Sequence, residues 1–226
     1  MPSEAGGPAR GARPQKDGAR APRARPKREG RYHHGDLKRA LMDAALVVVE
    51  REGVEAVSLS TLARKLRVSS GAPFRHFATR EALLVALAEE GALRMVRALD
   101  EAAAKVDDPL EKDRARGVAY VGFAVVERGV FTLLTRPEIA RASPMLRAMS
   151  DAQEALMEPA LGAHHRGRAA KRLAARSAGL LAAQALTYGL ARMIVDGHLG
   201  EVSREDAEAL ARELTSVLGE GLARRA

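Results

Sequence analysis

The chain has 226 residues, a net charge of +8 and no cysteine. That length can bury a substantial core without a metal or disulfide staple, and the missing thiols exclude disulfides, thiolate metal sites and cysteine nucleophiles. No run approaches the roughly 18 to 20 apolar residues of a membrane span, and the N-terminus lacks an apolar signal-type stretch. The expectation is therefore a cytoplasmic protein with no membrane partner.

Residues 1–31 carry nine basic side chains against three acidic ones, so six of the eight net positive charges lie there. This arm is rich in Pro, Gly, Ala and Arg and has no aliphatic side chain to bury, so it reads as a disordered basic arm. Such an arm points to a polyanion, nucleic acid before membrane, with a solubilising tail as the alternative.

From residue 36 the pattern is helical, with no alternation of period two. Leu37, Leu41, Ala45 and Val48 define a first helix that stops near Gly53. Ser58 is placed to cap a short second helix with Leu59, Leu62, Ala63 and Leu66 on one face. Arg67, Val68 and Ser69 interrupt the stripe, and Ser69 can cap a third short helix reaching about His76. Thr79 caps a longer helix through Leu83, Leu84, Leu87 and Gly91, with Glu81 in its first turn. After Asp107, Asp108 and Pro109 comes a helix with Leu110, Val118, Val121 and Val125, then a short apolar segment from Gly129 to before Pro137. Pro144 opens a helix with Met145, Met149, Ala152 and Leu156, which Pro159 and Gly162 are expected to break. A long Ala- and Leu-rich helix from Arg168 to Gly197 follows, and Ser203 caps a last one.

Residues 58–77 carry the functional signal. Two short helices separated by a three-residue break suit a helix-turn-helix, in which one helix braces on the DNA backbone and the next enters the major groove. Ser69, Ser70 and Gly71 leave the entering end uncrowded, while Arg75 and His76 supply donors. The adjacent pairs His33-His34 and His164-His165 do not share a helix face, so no metal is expected. No phosphate loop, nucleophile elbow or carboxylate pair stands out, and neither an enzyme activity nor a cofactor is expected.

Tyr32-His33-His34-Gly35-Asp36-Leu37, Ala44-Ala45, Glu52-Gly53, Leu62-Ala63, the run from Val68 to Phe77 and Arg80-Glu81-Ala82-Leu83-Leu84 resemble the N-terminal domain of TetR-family repressors. The match spans about residues 32–95. Ala119-Tyr120, Phe123-Ala124, Phe131 and Thr187-Tyr188-Gly189 with Asp196-Gly197 also resemble the subgroup named for a Trp-His-Gly signature, of which Gly189 survives here. Three positions depart from the family: Arg67 stands where a turn glycine is usual, Phe74 replaces a tyrosine and Arg80 replaces a lysine. A left-handed backbone at Arg67 would cost roughly 1 kcal/mol.

The resemblance implies an all-α fold. A disordered basic arm (1–31) precedes a three-helix helix-turn-helix domain (32–78) and a larger helical ligand-binding and dimerisation domain (79–226). It places Ser70, Gly71, Ala72, Phe74, Arg75 and His76 at the groove of a double-stranded DNA operator, with Thr61 and Arg80 on phosphates; Phe77 is assigned to packing. Tyr120, Phe123, Phe131, Met149, Met157, Tyr188 and Met193 are the candidate lining for an unidentified small-molecule effector, largely apolar and uncharged, with simple core packing as the alternative. Ala174, Ala178, Leu181, Ala182, Ala185 and Leu186, with Leu210, Leu214, Val217 and Leu218, suit a homodimer through the last two helices. The expected function is a ligand-released repressor on a palindromic operator. The rivals are a helical ligand-binding or enzymatic protein and a nonspecific nucleoid-type DNA binder.

Overall fold

The apolar stripe that opens at Leu37 becomes α1, His34–Glu52, which buries Leu37, Leu41, Ala45 and Val48 and ends at Gly53 with φ 86°. The computed structural model describes residues 34–161 and 168–223, with side chains described for 37–152 and 178–221. Among the described residues there are nine α-helices, two 3₁₀ turns and no strand. After the first 3₁₀ turn, Val54–Ala56, come α2 (Leu59–Lys65), the second 3₁₀ turn (Pro73–Arg75) and α3 (Arg80–Ala103). The remaining helices are α4 (Pro109–Val126), α5 (Arg128–Leu134), α6 (Pro137–Ala142), α7 (Pro144–Leu161), α8 (Arg168–Val195) and α9 (Arg204–Ala223).

Caps explain where these helices start. The Thr79 hydroxyl accepts from the Ala82 N–H at 3.1 Å, and the Asp108 carboxylate accepts from Glu111 N–H at 2.9 Å ahead of Pro109. Buried Ser143 caps α7 by accepting from Leu146 N–H at 3.1 Å while its hydroxyl donates to Glu89 at 2.7 Å. The Ser203 hydroxyl accepts from Asp206 N–H at 3.1 Å. Each satisfies an N–H that the first helical turn leaves orphaned. Ser58 does stand at the start of α2, but its side chain makes no capping bond, and the Leu62 N–H bonds its carbonyl instead.

Two expectations about helix extent are corrected, and one about the length of apolar runs. The segment expected to be a third helix, 69–76, is a series of turns ending in 3₁₀ geometry, because Pro73 has no N–H to donate to the Ser69 carbonyl. α7 runs through Pro159 to Leu161, since a proline near a helix end removes a bond without forbidding its φ. α8 contains an 18-residue stretch, Ala178–Val195, with mean hydropathy 1.3, long and apolar enough by length and composition to cross a membrane. Leu190, Ala191 and Ile194 in that stretch are buried core residues.

Two hydrophobic cores result. The first joins Leu41, Val48, Leu62, Phe77, Leu83, Leu84 and Leu87 from α1 to α3 with Leu133, Ile139 and Leu146 from α5, α6 and α7. A boundary at residue 78 would cut through it, and residues 33–226 group as one compact unit. The second joins Val118, Val121 and Ala124 of α4 with Phe131, Leu190, Ala191, Ile194, Ala207 and Ala211. α5 belongs to both, and it reaches α3 because Gly91 has no Cβ, which would otherwise fall on the Val130 side chain.

Candidate nucleic-acid interface

The reading segment is set by the turn after α2. Arg67 adopts φ 55°, the left-handed conformation that a side chain disfavours. Val68 N–H bonds the Ala63 carbonyl at 3.0 Å and Arg67 N–H bonds the Arg64 carbonyl at 3.2 Å, the paired closure of a Schellman motif. The turn geometry is thus kept although the glycine is absent. Val68 then packs against the first core, fixing the direction in which the chain leaves α2.

Beyond it the backbone is short-bonded: Ala72 N–H to Ser69, Arg75 N–H to Ala72 and His76 N–H to Pro73, at 3.0, 3.3 and 2.9 Å. Pro73 and Phe77 point inward and are buried, with Lys38 Nζ 5.9 Å from the centre of the Phe77 ring. These two anchors leave Ser70, Gly71, Phe74 and Arg75 exposed on the other side, Phe74 by 51%. Ala72 and His76 are half-buried, as is Thr61 on α2, and Arg64, Lys65 and Arg67 add exposed cations at the C-terminal end of α2. A small, polar, cationic surface on an apolar anchor is what a groove-entering element requires.

Arg80 is committed inside the chain. Its Nε donates to the Val57 carbonyl at 3.0 Å, and its Nη2 donates to the Val54 carbonyl at 2.7 Å and to Glu55 at 3.0 Å. The Glu55 carboxyl is held below the ordinary carboxylate range, first by a hydrogen bond from Arg136 and then by the charges of Arg136 and Arg80. This brace was invisible in the sequence, where Arg80 stood as a lysine replacement expected on a phosphate.

In the C-terminal half the structure brings together three of the seven candidate lining residues. Tyr120 packs edge-on to Phe131 at 5.8 Å between ring centres, and Phe131 lies 6.3 Å from Tyr188. Burial, with the neighbouring Tyr188, raises the Tyr120 hydroxyl to about 12, so it remains a neutral donor at physiological pH. Phe123 is buried on α4 and lines a different space, a cavity of about 560 Å³ between α3, α4 and α9 that also holds Arg94, Arg114, Glu127 and Glu208. Met149 packs against the first core, Met193 is exposed, and the Met157 side chain lies outside the described residues.

The sequence profile of bacterial regulatory proteins of the tetR family matches residues 41–87, from within α1 through α2 and the segment after it to the start of α3. A solved protein of unknown function from Rhodococcus sp. RHA1 is 30% identical, covering 83% of this chain and 97% of its own, with TM-score 0.58. A TetR-like transcriptional regulator from Rhodococcus sp. RHA1 is 23% identical over 82% of this chain and 95% of its own, with TM-score 0.56. The chain belongs to the TetR family of bacterial regulatory proteins. It is therefore a DNA-binding transcriptional regulator built on the TetR fold. A third solved structure, AibR in complex with isovaleryl coenzyme A and operator DNA, shares the fold at 18% identity over 78% of this TetR-family chain and 96% of its own, with TM-score 0.54. No curated protein matches the chain.

Proposed function

We propose that this regulator is a cytoplasmic repressor that holds a palindromic operator as a homodimer and releases it when a small molecule binds among the C-terminal helices. The observation that carries the reading is the segment from Ser70 to His76, in which buried Pro73 and Phe77 hold Phe74 and Arg75 outward beside the cations of α2. Ser70, Gly71, Ala72, Phe74, Arg75 and His76 face the major groove, and Thr61 on α2 faces a phosphate. Arg80 acts first as a brace through its Nε and Nη2 donors, which leaves Nη1, 3.6 Å from Glu81, as the group that could reach a phosphate. The basic arm of residues 1–31 adds affinity by neutralising phosphates rather than by reading bases.

The dimer reading is supported by α8 and α9. Only 22% of the Ala178–Val195 stretch is buried within one chain, and Tyr188, Met193, Leu199 and Val217 are exposed. Val217, exposed by 63%, is a better interface residue than Leu214, which packs into the second core of its own chain. Two such chains would place two reading segments about one DNA turn apart.

The effector reading rests on Tyr120, Phe131 and Tyr188, an aromatic cluster in which burial raises the Tyr120 hydroxyl. The AibR complex supports it to the extent that the same fold accommodates a small molecule and an operator together. Selection of bound fragments from a random duplex pool tests the proposal. The expected result is an enriched inverted repeat with half-sites about 10 base pairs apart. Binding without enrichment would favour the nucleoid-type rival, and no salt-sensitive binding would favour the helical ligand-binding or enzymatic one.

A further inference from the structure

The helix-turn-helix stretch, residues 58–77, begins just after Val57 and ends three residues before Arg80. Arg80 pins both of its ends to one point: its guanidinium takes the Val57 carbonyl at the entry to α2 while its own backbone begins α3 at the exit from the reading segment. Glu55 completes this point with one carboxylate oxygen, Oε2, on Arg80 at 3.0 Å. Its other oxygen, Oε1, accepts from Arg136 Nη1 at 2.6 Å, across 81 residues of sequence.

Arg136 belongs to the turn between α5 and α6, where its carbonyl accepts from the Ile139 and Ala140 N–H groups. The neighbouring Thr135 hydroxyl donates to the Phe131 carbonyl at 3.0 Å and lies 3.4 Å from Arg192 Nη1 on α8. Phe131 is the middle ring of the aromatic cluster, and Arg192 stands one turn beyond Tyr188 and acts electrostatically on Tyr120. A path therefore runs from the Phe131 carbonyl to the Thr135 hydroxyl, along the backbone to Arg136, and from its guanidinium to Glu55 and Arg80.

We propose that Glu55 is a positioning residue for DNA reading, a bridge through which the turn after α5 sets the orientation of the helix-turn-helix. The Glu55 side chain is 74% exposed, and exposed ion pairs contribute little to folding. What this bridge contributes is geometry: the guanidinium at the start of α3 and the one in the turn before α6 meet on one carboxylate, and each holds a different end of the relay. A displacement of α5 by a molecule at Phe131 would reach the reading segment through it. The inference rests on the proposed DNA reading and extends it to how that reading is controlled.

Glu55→Gln, Arg136→Gln and the double variant of the full chain test it. Affinity is measured by fluorescence anisotropy on the operator selected by the unmodified protein and on a random duplex of equal length, with a melting temperature for each variant. Each single change should lower the ratio of operator to random-duplex affinity by about 2- to 30-fold at unchanged melting temperature. The double variant should lose no more than the larger single loss, because both changes break one bridge. Arg136→Lys should recover part of the ratio. Variants that keep the ratio of the unmodified protein, or that lose affinity for both duplexes in step with melting temperature, overturn the inference alone. A chain that selects no operator overturns the DNA reading and the inference with it.

Discussion

Leu41, Leu62, Leu83 and Leu84 around α1 to α3 are fully buried among helices of their own chain, and the turn between α2 and α3 is anchored by Pro73 and Phe77. From α8 to α9, by contrast, Tyr188, Met193, Leu199 and Val217 lie exposed, and the Gln184 Oε1 is buried with no hydrogen-bond partner among the described residues. A buried acceptor left unpaired and an apolar face left in water both cost free energy. The core of the N-terminal half is thus closed within one chain, although Val47 and Phe74 stand exposed on its surface, whereas the C-terminal half exposes apolar side chains around two adjacent helices that the proposed partner chain could cover.

The sharpest way to break that comparison is to open the finished core. Leu62→Ala removes a fully buried side chain that no partner can replace, and should cost about 2 to 5 kcal/mol in urea unfolding whatever the protein concentration. A loss below 1 kcal/mol would mean that the reading half is loosely packed.

The next effect lies in the aromatic cluster and is read through pH. The Tyr120 hydroxyl titrates near 12 in the folded chain and near 10 when exposed, so between these values the folded state binds more protons. Its contribution is complete below pH 10 and is lost as pH rises toward 12, by about 2 to 3 kcal/mol in all. Tyr120→Phe should remove that part of the alkaline slope in urea midpoints measured across the range. An unchanged slope would place the hydroxyl in water.

A smaller effect compares two turns of the same kind. α8 closes with Gly197 N–H on the Ile194 carbonyl and His198 N–H on the Met193 carbonyl, with Gly197 at φ 80°, while α2 closes in the same pattern with Arg67 at φ 55°. Arg67→Gly should stabilise by up to about 1 kcal/mol, and Gly197→Ala should destabilise by about as much. No atom lies within 4 Å of a Cβ built at Gly197, so the second change tests the backbone alone. Equal and opposite shifts in melting temperature are expected, and a destabilised Arg67→Gly would mean that the Arg67 side chain is itself required.

The smallest effect on the single chain is at its open face. Val217→Glu should change monomer stability by less than about 0.5 kcal/mol, because the side chain is exposed, yet it should shift light scattering from dimer to monomer. A variant that remains dimeric would move the interface away from this part of α9.

Much of the reading half was legible because its signals are local. Leu59, Leu62 and Ala63 at helical spacing, Thr79 before a helix and the run from Val68 to Phe77 are each contained within a few residues. The form of the reading segment was not, since the spacing of Ser69 and His76 suggested a helix while Pro73 removes the bond that a regular turn needs. The C-terminal half was less legible because its contacts are long-range. Tyr120, Phe131 and Tyr188 meet across three helices, and nothing in their spacing separates them from Phe123, which lines the cavity between α3, α4 and α9, or from Met149, which joins the first core. The bridge from Arg136 to Glu55 spans 81 residues, and neither side chain stands out from the other charged positions of a strongly charged sequence.

The most direct test of the central claim, that the surface from Ser70 to His76 reads DNA, is the affinity of Arg75→Ala for the operator selected by the unmodified chain. Arg75 is exposed at the end of the 3₁₀ turn, so its loss should leave helicity and oligomeric state intact. A base contact predicts a loss of about 1 to 3 kcal/mol together with relaxed preference at one operator position. Unchanged affinity and unchanged preference would contradict the account.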